Sequence, residues 1–202
     1  MIVALLRHGR TAWNEQGRLQ GRADLPLAPA GEAQVDRWRV PPGFGDAIVV
    51  ASPLVRAVAT AQRFAGGAPR IVPDLIEMDW GAWEGETFAT LRAAHAGAFA
   101  AAEARGLDFR PPGGESLREV QQRLLSWLAL AAVQVEGPET AVIAVTHRGV
   151  LNALVAHLTG WNGIGRPPVK PRTDCAQVVA VDAAGRVAVR QWNVPLVVAQ
   201  DG

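Results

Sequence analysis

The sequence predicts an α/β fold: a three-layer α/β/α sandwich built on a mostly parallel, six-stranded mixed sheet, with a helical cap insertion. Three observations predict it. Short apolar, β-branched runs recur along the 202 residues, stretches of helical period separate most of them, and the last two runs are joined by a turn-rich linker alone. Strands alternating with helices require right-handed crossovers and parallel pairing. The linker requires a hairpin, and so an antiparallel edge.

Each element follows in chain order. Residues 2–6 are a continuous apolar run that ends at Arg7 and His8. A helical pattern over 30–39 leads to a second run at 47–51. Pro53 then sits in the first turn of a helix over 53–65, where its missing N–H does no harm. A third run spans 70–72. From 80 to 136 there are two helical patterns, 87–105 and 115–135, and no strand; Arg110-Pro111-Pro112-Gly113-Gly114 separates them. That segment is expected to be the cap, inside a single domain spanning 1–202. The fourth run, 141–146, precedes a helix over 149–158 that stops at Thr159-Gly160. The last two, 177–182 and 187–192, flank Asp182-Ala183-Ala184-Gly185-Arg186. The apolar stretch 194–199 is a candidate cover for a sheet edge of this copy or of a second one, which leaves monomer and homodimer both open.

Composition excludes several function classes. Twenty Lys+Arg against 19 Asp+Glu give a net charge of +1, with no basic stripe for nucleic acid. All the cations but Lys170 are Arg, the residue suited to bidentate oxyanion binding. One cysteine, Cys175, rules out an internal disulfide and a Cys-rich zinc site. It is expected to be an inert buried thiol. No run approaches the length of a membrane span, and the short apolar start is no signal-peptide core. A cytoplasmic location is expected, with no membrane partner.

In an open α/β sheet the ligand sits at the carboxyl ends of the strands. Four such ends carry chemistry: Arg7-His8-Gly9-Arg10-Thr11; Ser52-Pro53-Leu54-Val55-Arg56; Pro73-Asp74-Leu75-Ile76 leading to Glu77; and Thr146-His147-Arg148-Gly149. If they share one crevice, it holds two His, at least two Arg and one Glu. That set suits phosphoryl transfer through histidine, in which a neutral imidazole attacks phosphorus and fixed cations take the charge on the equatorial oxygens. The leaving alkoxide needs a proton, and Glu77, among Met78, Trp80 and Trp83, is placed to keep one. Taken singly, each residue has a plainer structural reading; their positions after successive strands make the joint case. His95 and His157 fall within helical patterns and are expected to be structural. The four histidines lack metal-ligand spacing, so no metal and no cofactor is expected.

These motifs resemble the histidine phosphatase (phosphoglycerate mutase-like) superfamily. The likeness rests on Leu6-Arg7-His8-Gly9-Arg10-Thr11-Ala12-Trp13-Asn14, Gly17-Arg18-Leu19-Gln20-Gly21, Asp24-Leu25-Pro26-Leu27, Ser52 to Ala57, Glu77 to Gly85, Pro112 to Ser116 and His147. It implies that His8 is phosphorylated, that Arg7, Arg56 and His147 form the phosphate pocket, and that Glu77 is the proton donor. Asn14, Gln20 and Gly21 match loop positions that touch phosphate or substrate. Two residues depart from the pattern. Arg10 stands where an acid or Gln is usual, and Arg148 intervenes between His147 and Gly149; both join the candidate substrate-binding residues. Glu84 is the runner-up acid.

Mutases of the superfamily carry a Tyr and a Lys near the acid. This chain has no Tyr, and its only Lys is Lys170. The resemblance therefore favours hydrolysis of a small phosphate ester. A phosphoglycerate-type mutase, or a catalytically inactive phosphate-ligand-binding regulatory protein, is the alternative.

Overall fold

The computed structural model describes residues 1–135, 137 and 139–197. The expected cap end at Glu136 and the end of the expected tail, 198–199, lie outside them. Six strands, β1 (Ile2–Arg7), β2 (Ile48–Ala51), β3 (Arg70–Ile71), β4 (Ala141–Thr146), β5 (Cys175–Val181) and β6 (Val187–Pro195), form one sheet in the order β3-β2-β4-β1-β5-β6. Strands β3, β2, β4 and β1 pair in parallel, and β5 runs antiparallel to both β1 and β6. The sheet is thus mixed and mostly parallel, as expected. The hairpin turn is closed by Asp182, whose carboxylate accepts from the amides of Ala184 and Arg186.

The helices are α1 (Ala12–Glu15), α2 (Pro29–Asp36), α3 (Val55–Ala65), α4 (Phe88–Ala94), α5 (Ala96–Glu103), α6 (Leu117–Gln134) and α7 (Arg148–Thr159). Side chains of the central strands alternate between two cores, the period that a pleated strand imposes. Val3 and Leu5 of β1 and Val142 and Ala144 of β4 face Leu124 and Leu128 of α6 and Leu151 and Leu154 of α7. Ala4, Leu6, Ile143 and Val145 face Val35 of α2 and Ala57, Ala61 and Phe64 of α3. A strand covered on both sides must be apolar throughout, hence the unbroken run at the start of the chain.

The segment expected to be the cap divides in two. Helix α6 belongs to the sandwich, because its buried face is part of the sheet core. The region from Trp80 to Phe109 builds, with Leu19, a third cluster of Trp83, Leu91 and Phe99, which Trp80 and Phe109 join to the sheet core. Its rings meet at centroid distances of 5.3 Å for Trp83–Phe99 and 5.8 Å for Trp80–Phe109.

The single helix expected over 87–105 is broken at His95, where φ is −135° and ψ is 35°. In a straight helix Leu91 and Phe99, eight residues apart, would stand about 12 Å apart along the axis. The break folds both onto the same cluster, and that burial outweighs the helical propensity of the alanines. Exposed His95 is therefore a joint, and exposed His157 lies in the last turn of α7. Cys175 is buried, and burial beside Asp174 raises its thiol to about 11. Helix α1, not apparent from periodicity, is a single turn made by a capping box between Thr11 and Asn14.

Leu124→Ala removes a fully buried side chain from the core shared by α6 and the sheet. The expected cost is about 2–5 kcal/mol, measured as a lower urea midpoint at unchanged slope.

Candidate active site

Sheet order places the ends of β2, β4 and β1 side by side. Parallel pairing continues one step past those ends: the His8 amide donates to Thr146 O at 3.0 Å and the Ser52 amide to Val145 O at 3.0 Å. Ser52, His147 and His8 are thus held in a row, and the two imidazole centroids lie 5.1 Å apart. A cavity of about 780 Å³ opens over this row, with Arg7, His8, Gln20, Arg56 and Glu77 in its wall. His147 lies fully buried behind it.

His8 Nδ1 is 2.6 Å from the carbonyl oxygen of Gly9. A carbonyl only accepts, so Nδ1 carries the proton and Nε2 keeps its lone pair. Burial, followed by the charges of Arg7 and Arg56, holds this imidazole well below its ordinary range. It is neutral and nucleophilic at Nε2. The loop behind it is fixed by Thr60, which accepts from the Gly9 amide at 3.0 Å and donates to Arg56 O at 2.6 Å.

His147 has the other arrangement. Its Nε2 lies 2.7 Å from Ser52 Oγ, which also accepts from the Leu54 amide at 3.3 Å. If Nε2 were the donor, both the Ser52 hydroxyl proton and the Nδ1 lone pair would be unmet. With the hydroxyl donating to Nε2, only Nδ1–H is unmet, and we assign that tautomer. Burial, then the neighbouring His8, keeps His147 neutral as well.

Three more donors beside the cavity have no partner among the described residues: Arg7 Nε, Arg56 Nε and Gln20 Nε2. Arg56, in the first turn of α3, is fully buried and spends its terminal nitrogens on Ala23 O at 2.8 Å and Gly21 O at 2.7 Å. Burial lowers the Arg7 guanidinium to about 10, with Arg148 and Arg56 pushing the same way against Glu77; it stays charged at neutral pH. Gln20 Oε1 takes hydrogen bonds from Thr11 Oγ1 at 2.7 Å and Asn14 Nδ2 at 3.3 Å. That orients its amide and gives Asn14 a positioning part.

Glu77 is buried, and burial raises its carboxyl above the ordinary range despite the opposing amides and arginines. Its Oε1 accepts from the amides of Met78 at 2.8 Å and Gly149 at 2.9 Å. Oε2 makes no hydrogen bond among the described residues, so it is the oxygen that can carry a proton. A Cβ on residue 149 would overlap this carboxyl, which explains why glycine follows Arg148 here. Glu84 has a different task. Its two oxygens take the amides of Arg22 at 2.5 Å and Ala23 at 2.9 Å, and it presses against Gly21, whose φ of +52° suits glycine.

Arg148, Asn14 and Gly21 line the cavity with the core set. Arg10 does not. Its side chain is exposed and lines a second groove with Arg37, Trp38, Lys170 and Arg172, because Arg10 N bonds Gln34 of α2 on the far side of the loop. Sequence reasoning assigned no role to Ser52, though it stood in a quoted motif, and it missed the rim formed by Arg92, Trp161 and Ile164. Leu107 N donates to Asn162 O at 2.9 Å, a contact between distant segments that no local pattern announces. Among the described residues, no group of three or more His, Cys, Asp or Glu is placed to hold a metal, and no helix is long and apolar enough to cross a membrane.

The two buried neutral imidazoles predict a pH dependence of stability. The folded state holds them below the unfolded value near 6.5, so the unfolded chain binds more protons and stability is lost as pH falls through 6.5. Each contributes a slope of at most about 1.4 kcal/mol per pH unit. Denaturant unfolding at pH 7.5 and 5.5 is expected to show a smaller loss in His8→Asn than in wild type.

Known proteins resemble this chain over most of its length. The family model described as histidine phosphatase superfamily (branch 1) matches residues 3–195. A probable phosphoglycerate mutase of Cronobacter sakazakii is 33% identical over 162 residues, covering 78% of this chain and 74% of the relative. An uncharacterized phosphatase of Bacillus subtilis is 32% identical, with 78% and 77% covered. Among solved structures, a mycobacterial glucosyl-3-phosphoglycerate phosphatase superposes with a TM-score of 0.78 at 27% identity, over 96% of this chain and 99% of that one.

Proposed function

The chain belongs to the histidine phosphatase superfamily, and from that membership we propose that it is a phosphomonoester hydrolase, releasing phosphate from a small phosphorylated metabolite through a phosphohistidine on His8. One observation carries the reading: among the described residues four N–H donors, on Arg7, Gln20, Arg56 and His147, have no partner; the first three belong to residues that line the cavity with His8, and the fourth to the imidazole 5.1 Å from that of His8. Donors held without acceptors in a low-dielectric pocket are complementary to an oxyanion, and they need no rearrangement as its charge develops.

In the proposed mechanism His8 Nε2 attacks phosphorus while the bond from phosphorus to the leaving oxygen breaks. The phosphoryl oxygens are held by Arg7, Arg56, Gln20 and His147 Nδ1–H. Glu77, protonated on Oε2, gives its proton to the departing alkoxide. Its carboxylate then takes a proton from a water that attacks the phosphohistidine, the P–N bond breaks, and inorganic phosphate leaves with Glu77 protonated again. No metal enters these steps, so activity is expected to survive EDTA.

The acid assignment is tested by the choice of leaving group. A general acid is worth about 10²–10⁴ in rate when the departing oxygen is a poor leaving group and little when it is a stable anion. Glu77→Gln is expected to cripple hydrolysis of an alkyl phosphate while sparing much of the first step with p-nitrophenyl phosphate, giving a burst of nitrophenol and a trapped phosphohistidine. His8→Ala is expected to lose both reactions. Full activity in His8→Ala overturns the phosphohistidine route; equal losses on both esters without a burst remove Glu77 from the acid role.

A further inference from the structure

The cavity of about 780 Å³ holds far more than a phosphoryl group, and its remaining wall has two chemistries. One side is apolar and aromatic: Trp80, Phe88, Phe109 and Trp161 line it. Trp161 satisfies its indole N–H on Ile164 O at 2.9 Å, and Trp80 packs edge-on against Phe88 and Phe109 at 5.6 and 5.8 Å. Trp80, Phe88 and Phe109 are fixed by these ring contacts and Trp161 by its hydrogen bond, and together they offer apolar surface to the cavity.

The first two turns of α7 also contribute to the wall. Arg148 and Asn152 are four residues apart on this helix and both line the cavity; at that spacing they share a face, one turn or about 6 Å apart. The remaining cavity arginines outside the phosphate pocket are engaged. Arg92 pairs with Glu103 at 2.7 Å and stacks on Phe88 and Phe99. Arg18 donates to Gly85 O at 3.0 Å. Arg148 alone among these three makes no hydrogen bond or ion pair to any described residue, and its charge lies near enough to Arg7 to depress that guanidinium. The side-chain amide of Asn152 likewise has no partner among the described residues. Among the described residues, an unpaired cation and an unpaired amide therefore stand on one helical face of a cavity that Trp80, Phe88, Phe109 and Trp161 also line.

We propose that Arg148 and Asn152 bind a second anionic group, a carboxylate or phosphate, carried by the leaving alcohol. The substrate class is then a phosphomonoester of an alcohol that has an apolar or ring-bearing body and a second negative charge. This rests on the hydrolase reading above and extends it to the leaving group. It also gives a use to the residue that separates His147 from Gly149: a cation placed where it meets the substrate's far end rather than the transferred phosphoryl group.

Three esters with one aromatic body test it: 4-methylbenzyl, 4-carboxybenzyl and 4-phosphonobenzyl phosphate, compared by kcat/KM from phosphate release. For wild type, at least one anionic ester is expected to exceed the methyl ester roughly tenfold, the scale of a hydrogen bond to a charged group; which one it is tells carboxylate from phosphate. In Arg148→Met that ratio is expected to collapse toward one, and Arg148→Lys is expected to restore part of it. Because the readout is a ratio within each protein, a general loss of folding or catalysis cancels. Were Arg148 bound to the transferred phosphoryl group instead, all three esters would lose alike and the ratio would persist, which overturns the proposal. Absence of any preference in wild type overturns it too. Failure to release phosphate from any of the three overturns the hydrolase reading itself, a result distinct from hydrolysis without discrimination.

Discussion

Arg7 and Arg56 are brought into the mouth of the sheet beside two imidazoles, and neither makes an ion pair with a described carboxylate. Much of the surrounding structure serves to tolerate that arrangement. Taking a guanidinium out of water without a counter-charge is costly. The cost is met by carbonyls for Arg56, by keeping both histidines neutral, and by the attraction of the nearby Glu77 carboxylate for both guanidiniums. Each device solvates the positive charge or limits it without cancelling it. The outcome is a pocket whose best available partner is an anion, preorganised by strands buried on both faces and therefore unable to relax.

The loops that complete the pocket are braced by charges that never enter it. Glu84 holds the amides of Arg22 and Ala23, and so keeps the Gly21 and Ala23 carbonyls where Arg56 needs them. Glu115 ties Arg123 to the amide of Asp79, two residues beyond Glu77. Two glutamates close to the acid candidate in sequence or space are thus occupied by backbone and arginine partners. Glu77, with one oxygen unengaged, is left as the group that can exchange a proton with a ligand.

Strand periods, helix punctuation and the motifs at strand ends made the sheet, its mixed direction and the core of the site legible, because each is a local pattern of residues two to four apart. What stayed hidden depends on packing between distant segments. The break at His95 follows from an aromatic cluster to which Trp83 and Phe109 also belong. Helix α6 has the amphipathic pattern of any surface helix, and only its contact with α7 and the sheet separates it from the cap. Arg10 follows the nucleophile in sequence yet turns to the opposite side of the loop, since the side-chain amide of Gln34 captures its backbone. The buried Ser52–His147 hydrogen bond joins residues whose neighbourhood is set by β2 lying next to β4, which spacing along the chain does not encode.

The hydrogen bond from the Gly149 amide to Glu77 has a wider consequence. Helix α7 carries Arg148 and Asn152, is preceded directly by His147 as its N-cap residue, and through Gly149 also holds the carboxyl of Glu77. In the proposed reaction one phosphate contact, the support of the acid and the leaving-group contacts are therefore linked through one helix, anchored by Val150, Leu151 and Leu154 in the core. The aromatic rim belongs to other segments and can diverge separately. Under the proposed reaction, a substitution in the rim would alter the leaving group admitted while leaving the Gly149–Glu77 hydrogen bond in place.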